Sequence, residues 1–111
     1  MISEAELVAE MAPLDQVVLR RWIDQGWIIP HRQQENVHFD ESDVARIRLI
    51  VELHYELRIE EDSMSVVLSL LDQLYSTRRS LNALMAAVKT QPEEVRNNIA
   101  ALAESARRHE Q

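Results

Sequence analysis

Trp22-Ile23-Asp24-Gln25-Gly26-Trp27-Ile28-Ile29-Pro30 decides how the chain folds. Gly26 is the only glycine in 111 residues, and it falls where a helix beginning near Asp15 needs a left-handed residue to stop. Counted back from Gly26 at C′, Trp22 is C3 and Trp27 is C″, the two positions that touch in a Schellman ending. One turn therefore predicts the placement of both tryptophans.

After the turn, Trp27-Ile28-Ile29 is a β-prone run closed by Pro30, His31 to Asn36 is polar and loop-like, and Val37-His38-Phe39 is expected to return as a second strand. Asp40 then caps a third helix with Asp43 at N3, and Phe39 and Val44 have the spacing of a hydrophobic staple. Upstream, Ser3-Glu4-Ala5-Glu6 is a capping box that opens a first helix to about Met11. Pro13 ends that helix, and Asp15 caps a second one carrying Val18, Leu19, Trp22 and Ile23 on its apolar stripe. Two short helices, a small two-stranded hairpin and a capped helix make a winged helix-turn-helix. The fold class is therefore all-α, mainly helical, with long C-terminal helices to follow.

The third helix, expected over about Glu41 to Leu57, is apolar around most of its circumference, with Arg48, Glu52 and Glu56 on a narrow polar arc. Asp62 or Ser63 can cap a fourth helix. Met64, Val67, Leu71, Leu74, Arg78, Leu81, Met85 and Val88 then recur at steps of three and four, a heptad seam with one basic interruption. Thr90-Gln91-Pro92-Glu93 stops it and starts a fifth helix, where Val95, Ile99, Leu102 and Ala106 repeat the spacing. Such a seam serves either an intramolecular helical hairpin or a homodimer. For the homodimer the expected interface residues are Leu49, Leu53, Val67, Leu71, Leu74 and Leu81. The organisation predicted is a winged domain over residues 1–62 and a helical region over 63–111, together one compact unit.

With 46% apolar and 28% charged residues and no cysteine, the chain can bury a core and has no disulfide or thiolate chemistry. No apolar run approaches the ~20 residues of a membrane span and the acidic N-terminus lacks a signal-peptide pattern, so a cytoplasmic protein is expected. No phosphate loop, nucleophile motif or histidine pair at metal spacing is present, so no enzyme activity, cofactor or metal is expected. His31 and His38 read as polar wing residues and His54 as a packing residue.

Charge argues against nucleic acid. In residues 1–62 six arginines face fourteen carboxylates, leaving −8, while six bases and five acids in residues 63–111 leave +1, in agreement with the net −7. The half shaped like a DNA reader carries the negative charge, whereas duplex DNA is held largely by Lys and Arg. Glu52 and Glu56, with Glu60, Glu61 and Asp62 just beyond, exceed what helix capping needs. They are the candidate docking surface for a basic partner.

Over roughly residues 14–85 the chain resembles the MerR-like winged helix-turn-helix proteins, and more closely their chaperone-modulator branch, the CbpM-like proteins. The resemblance rests on Gly26-Trp27-Ile28-Ile29-Pro30, on Phe39-Asp40, on Leu53 with Glu56-Leu57, and on Val66-Val67-Leu68-Ser69-Leu70-Leu71-Asp72-Gln73-Leu74. Arg58 departs from it, standing where that branch commonly has glycine or another small residue, and the wing lacks the glycine and basic-aromatic pattern of DNA-binding relatives. The resemblance implies a non-enzymatic regulator that binds the J-domain of a CbpA/DnaJ-like co-chaperone and keeps it from stimulating DnaK. The alternative it implies is a MerR-like DNA-binding transcriptional regulator.

Overall fold

In the computed structural model, which describes residues 1–110, the elements follow in the order β1 (Ile2–Ser3), α1 (Glu4–Glu10), α2 (Gln16–Asp24), β2 (His31–Gln33), β3 (Asn36–Phe39), α3 (Glu41–Val51), a π-helical turn (Glu52–Glu56), α4 (Glu61–Lys89) and α5 (Glu93–His109). The chain forms two compact units, Met1–Ser69 and a second beginning at Leu70. Among the described residues every buried apolar side chain lies in the first unit, from Leu7 to Leu68. No helix among the described residues is long and apolar enough to cross a membrane.

The helix starts follow their local signals. Ser3 Oγ accepts from the Glu6 amide at 3.2 Å, Asp15 Oδ1 accepts from the Val18 amide at 2.9 Å, and Asp40 and Asp43 form a reciprocal capping box. At the end of α2, Gly26 has φ +80°. The Gly26 amide bonds Ile23 O at 3.0 Å and the Trp27 amide bonds Trp22 O at 3.2 Å, the two hydrogen bonds of a Schellman motif. The two indoles meet at 6.3 Å between centroids, both buried.

The wing differs from the expected two-stranded hairpin. Its first strand lies beyond Pro30, at His31–Gln33, and not at Trp27–Ile29, because Trp27 and Ile28 are drawn into the core at 6% and 1% exposure. The sheet has three strands in the order β1-β3-β2. Ile2 and Ser3 pair with Phe39 and His38, and His31 to Gln33 pair with Asn36 to His38 across a two-residue loop, with Gln34 at φ +59°. The N-terminal residues thus protect what would otherwise be an open strand edge.

The third helix also departs from a uniform α-helix to Leu57. It changes at Glu52 into a π turn, in which the Leu57 amide bonds Glu52 O at 3.0 Å, and the chain then reverses through Arg58 at φ +57°. The fourth helix starts at Glu61, ahead of the expected caps Asp62 and Ser63. Met64 and Leu68 in its first two turns are fully or nearly fully buried in the core of the first unit, so that unit runs past residue 62.

In the second unit the helices are amphipathic and uncovered. Leu70, Leu74, Leu81, Leu84 and Met85 on α4 and Val95, Ile99 and Leu102 on α5 are exposed, and α5 has no buried residue.

Candidate functional site

The side chains around the Schellman turn and the start of α4 form the best-defined polar arrangement in the first unit. Glu61 is its centre. One carboxylate oxygen accepts from Arg21 Nε at 2.9 Å and from Trp22 Nε1 at 3.0 Å, and the other accepts from Arg21 Nη2 at 2.9 Å. Four residues on, Ser65 Oγ accepts from Trp27 Nε1 at 2.9 Å. The α4 N-terminus is therefore fastened to both tryptophans and to α2. The arginine bonds, outweighing desolvation, hold the Glu61 carboxyl below the ordinary carboxylate range, and the Trp22 bond adds to the effect. The same pair raises the Arg21 guanidinium above its already high value.

The π turn belongs to this arrangement. It directs His54 and Tyr55 at Trp22, with centroids at 6.1 Å and 6.4 Å, and the two rings meet edge-on at 4.8 Å. His54 Nδ1 lies 2.9 Å from Ile59 O, a carbonyl, so that nitrogen carries the proton and donates. Burial raises the Tyr55 phenol, and the negative charges of Asp15 and Glu61 raise it further. A π turn, a left-handed residue and a histidine bridge thus shape the five residues between Leu53 and Ile59 without glycine.

This bracket sets the positions of the candidate docking acids. Glu52 and Glu56 are exposed on the π turn, and Glu60 and Asp62 are exposed on either side of the clasp. None of these four makes an ion pair among the described residues. Leu57, beside Glu56 in the chain, is 67% exposed. Glu61 differs from its neighbours, being half-buried and engaged by Arg21. Sequence reasoning missed that engagement, because Arg21 and Glu61 are 40 residues apart and no local spacing marks the pair.

Of the candidate interface residues, Leu53 is buried within its own chain, Leu49, Val67 and Leu71 are half-buried, and Leu74 and Leu81 are exposed. The open apolar surface on α4 therefore includes the seam positions Leu74, Leu81 and Met85, with Leu70 and Leu84 one position to the side of the seam.

Beside Arg21 on the exposed face of α2, Arg20 makes a two-pronged pair with Glu4, at 3.0 Å and 3.1 Å. A shallow groove between α2 and the wing is lined by Glu4, Arg20, Ile23, Asp24, Arg32 and Val37.

His31, Asp40 and Asp43 are the described residues whose ligand atoms approach closely enough to hold a cation. His31 Nε2 lies 2.7 Å from Asp40 Oδ2 and 3.6 Å from Asp43 Oδ2. Both carboxylates already serve the α3 cap. The Asp43 amide, followed by His31, holds the Asp40 carboxyl below its usual range. Capping accounts for the cluster without a metal.

Against known proteins, the model of a family described as MerR HTH family regulatory protein matches residues 4–85. Neither the curated proteins nor the solved structures returned a match.

Proposed function

The chain belongs to the MerR HTH family of regulatory proteins, and we propose that it is a non-enzymatic, cytoplasmic chaperone modulator of the CbpM-like kind. It binds the J-domain of a CbpA/DnaJ-like co-chaperone as a homodimer and inhibits stimulation of DnaK. The observation that carries this reading is the contrast between two sets of charges. Arg20 and Arg21 on α2, the helix a DNA reader would use, are each held by a carboxylate of the same chain. Glu52, Glu56, Glu60 and Asp62 stand exposed and make no ion pair among the described residues. A basic J-domain helix would provide their counter-charge, with Leu57 supplying the apolar contact that exposed charges, at about 0–1 kcal/mol per pair, cannot replace.

The homodimer reading draws on the second unit. The exposed leucines of α4 and the apolar stripe of α5 lack cover within the chain, and a second copy presents a matching surface. The alternative, a DNA-binding MerR regulator, draws on the same helix-turn-helix, with its two helix arginines already paired internally.

Calorimetric titration with a purified J-domain at two ionic strengths tests the partner and the surface separately. Binding is expected to weaken as salt rises, and Glu56→Lys with Asp62→Lys is expected to lower affinity roughly tenfold. No binding at low salt refutes the partner, while wild-type affinity in the double reversal refutes the surface. Glu61 is unsuited to this test, since replacing it opens the clasp on Arg21.

A further inference from the structure

The first unit carries a cleft that includes neither arginine pair, where β1, the end of α1 and α3 meet. Met1, Ile2, Val44 and Ala45 give it apolar walls over Phe39, which is fully buried. Its volume of about 420 Å³ lies within the range of clefts that hold a ligand. Glu10, Glu41 and Arg48, all exposed, stand at its edge. None of the three makes an ion pair among the described residues. Asp40, the remaining acid there, is already engaged by the Asp43 amide and His31.

Helix phase joins this cleft to the docking acids. Glu41, Ala45, Arg48 and Glu52 are all exposed and recur at steps of four, three and four, which keeps them within about 40° of one line along the helix. The π turn begins only at Glu52, whose φ of −63° and ψ of −45° are still helical, so the line is unbroken to that residue. At ~1.5 Å per residue it is about 16 Å long, roughly three turns of a partner helix. Along it stand an acid, the cleft, a base and an acid. A second copy of the chain does not complement this order: laid antiparallel it sets Glu41 against Glu52, and laid parallel it sets each charge against itself. A uniformly basic segment sets a like charge against Arg48. The complement is an amphipathic helix with a base, a large apolar residue, an acid and a base at the same steps.

We propose that the Ala45 cleft is the anchoring half of the docking surface, seating one large apolar side chain of a basic amphipathic helix, and that Arg48 selects for an acidic residue one turn from that anchor. The proposal rests on the reading of Glu52 and its neighbours as a surface for a basic partner helix. It adds what charge alone does not supply, since exposed pairs are worth little, whereas burying one leucine-sized side chain raises affinity about tenfold or more. Arg48 acts by exclusion as much as by attraction, because a lysine opposite it is repelled.

Two synthetic helical peptides test it, each with Lys, Leu, X and Lys at steps of four, three and four, X being Glu in one and Lys in the other. Each is titrated at low salt into the isotope-labelled full chain and followed by amide chemical shifts, and a purified J-domain is titrated in parallel by calorimetry. Wild type is expected to favour the Glu peptide about two- to fivefold, with shifts centred on Ile2, Val44, Ala45 and Arg48. Arg48→Glu should reverse that preference, an inversion that a loss of structure would not produce. Ala45→Gln fills the cleft with a good helix former and should weaken both the Glu peptide and the J-domain about tenfold. Glu35→Gln, exposed on the wing loop, should leave both at wild-type strength. Peptide binding at the cleft without J-domain binding supports the cleft and refutes the co-chaperone reading. J-domain binding that Ala45→Gln leaves unchanged overturns the cleft while that reading stands. The same peptide ratio in wild type and Arg48→Glu, or shifts at these amides that depend on protein concentration without peptide, also overturns the proposal.

Discussion

Two backbone positions with left-handed φ angles should respond to opposite substitutions with opposite signs. Gly26 sits at φ +80° with nothing within 4 Å of where a Cβ would stand, so Gly26→Ala introduces no clash and its effect is conformational. Forcing an L-residue into the left-handed region costs about 1–2 kcal/mol, and the smaller conformational freedom of alanine in the unfolded chain returns roughly 0.4–1 kcal/mol. A net loss of about 1 kcal/mol is expected. Arg58 is the reverse case, a non-glycine residue at φ +57°, exposed and without an ion pair among the described residues. Arg58→Gly relieves the same penalty and forfeits the same entropy, for a net gain of about 0.5–1 kcal/mol. Urea unfolding followed by far-UV circular dichroism reads both as shifts in midpoint at unchanged m. If Arg58→Gly lowers the midpoint as Gly26→Ala does, the arginine side chain outweighs its backbone and the reasoning fails.

The Glu61 clasp predicts a pH dependence of known sign. A carboxyl held below its ordinary value in the folded state stabilises the fold at neutral pH, and that contribution disappears as pH falls through the folded value, below the ordinary carboxylate range. Glu61→Gln should therefore flatten the acid limb of a stability-versus-pH profile, and an unchanged limb would show that other carboxylates dominate it. The two halves of α4 should separate by assay: Met64→Ala or Leu68→Ala, in the core, should cost about 2–5 kcal/mol in unfolding measurements. Leu74→Ala with Leu81→Ala, both exposed, should leave the first unit's stability unchanged and lower the mass seen by light scattering. A wild-type species of 12.9 kDa alone at micromolar concentration would refute the homodimer.

Legibility in the sequence followed the range of the interaction. The Schellman turn spans six residues and depends on one glycine between two tryptophans, and both predicted backbone bonds are present. The caps at Ser3, Asp15 and Asp40 each act over three residues and all form. The wing's second strand stands where the sequence places it, at Asn36–Phe39, but the first does not, because β-propensity does not distinguish a residue that pairs in a sheet from one that fills a core, and Trp27 and Ile28 do the latter. The third strand escaped notice because two residues, Ile2 and Ser3, carry no pattern of their own. The docking acids could be listed from charge and helix phase, but the π turn resets that phase after Val51. Arg58 shows a mixed case, in which resemblance marked the position as unusual and its φ angle supplied the reason.

By itself the sequence determined the order of helices, the starts of the first three, the reversal at Gly26 and the acidic balance of the first 62 residues. Each of these depends on contacts within one or two helical turns or on composition alone. Only the tertiary structure decided which charges are spent and which are offered. Arg20 finds Glu4 across 16 residues and Arg21 finds Glu61 across 40, pairings that exist because α1 and the start of α4 pack beside α2. Loop closure over such distances is set by the burial of Trp22, Met64 and Leu68 together, so no spacing rule written along the chain could have foretold it.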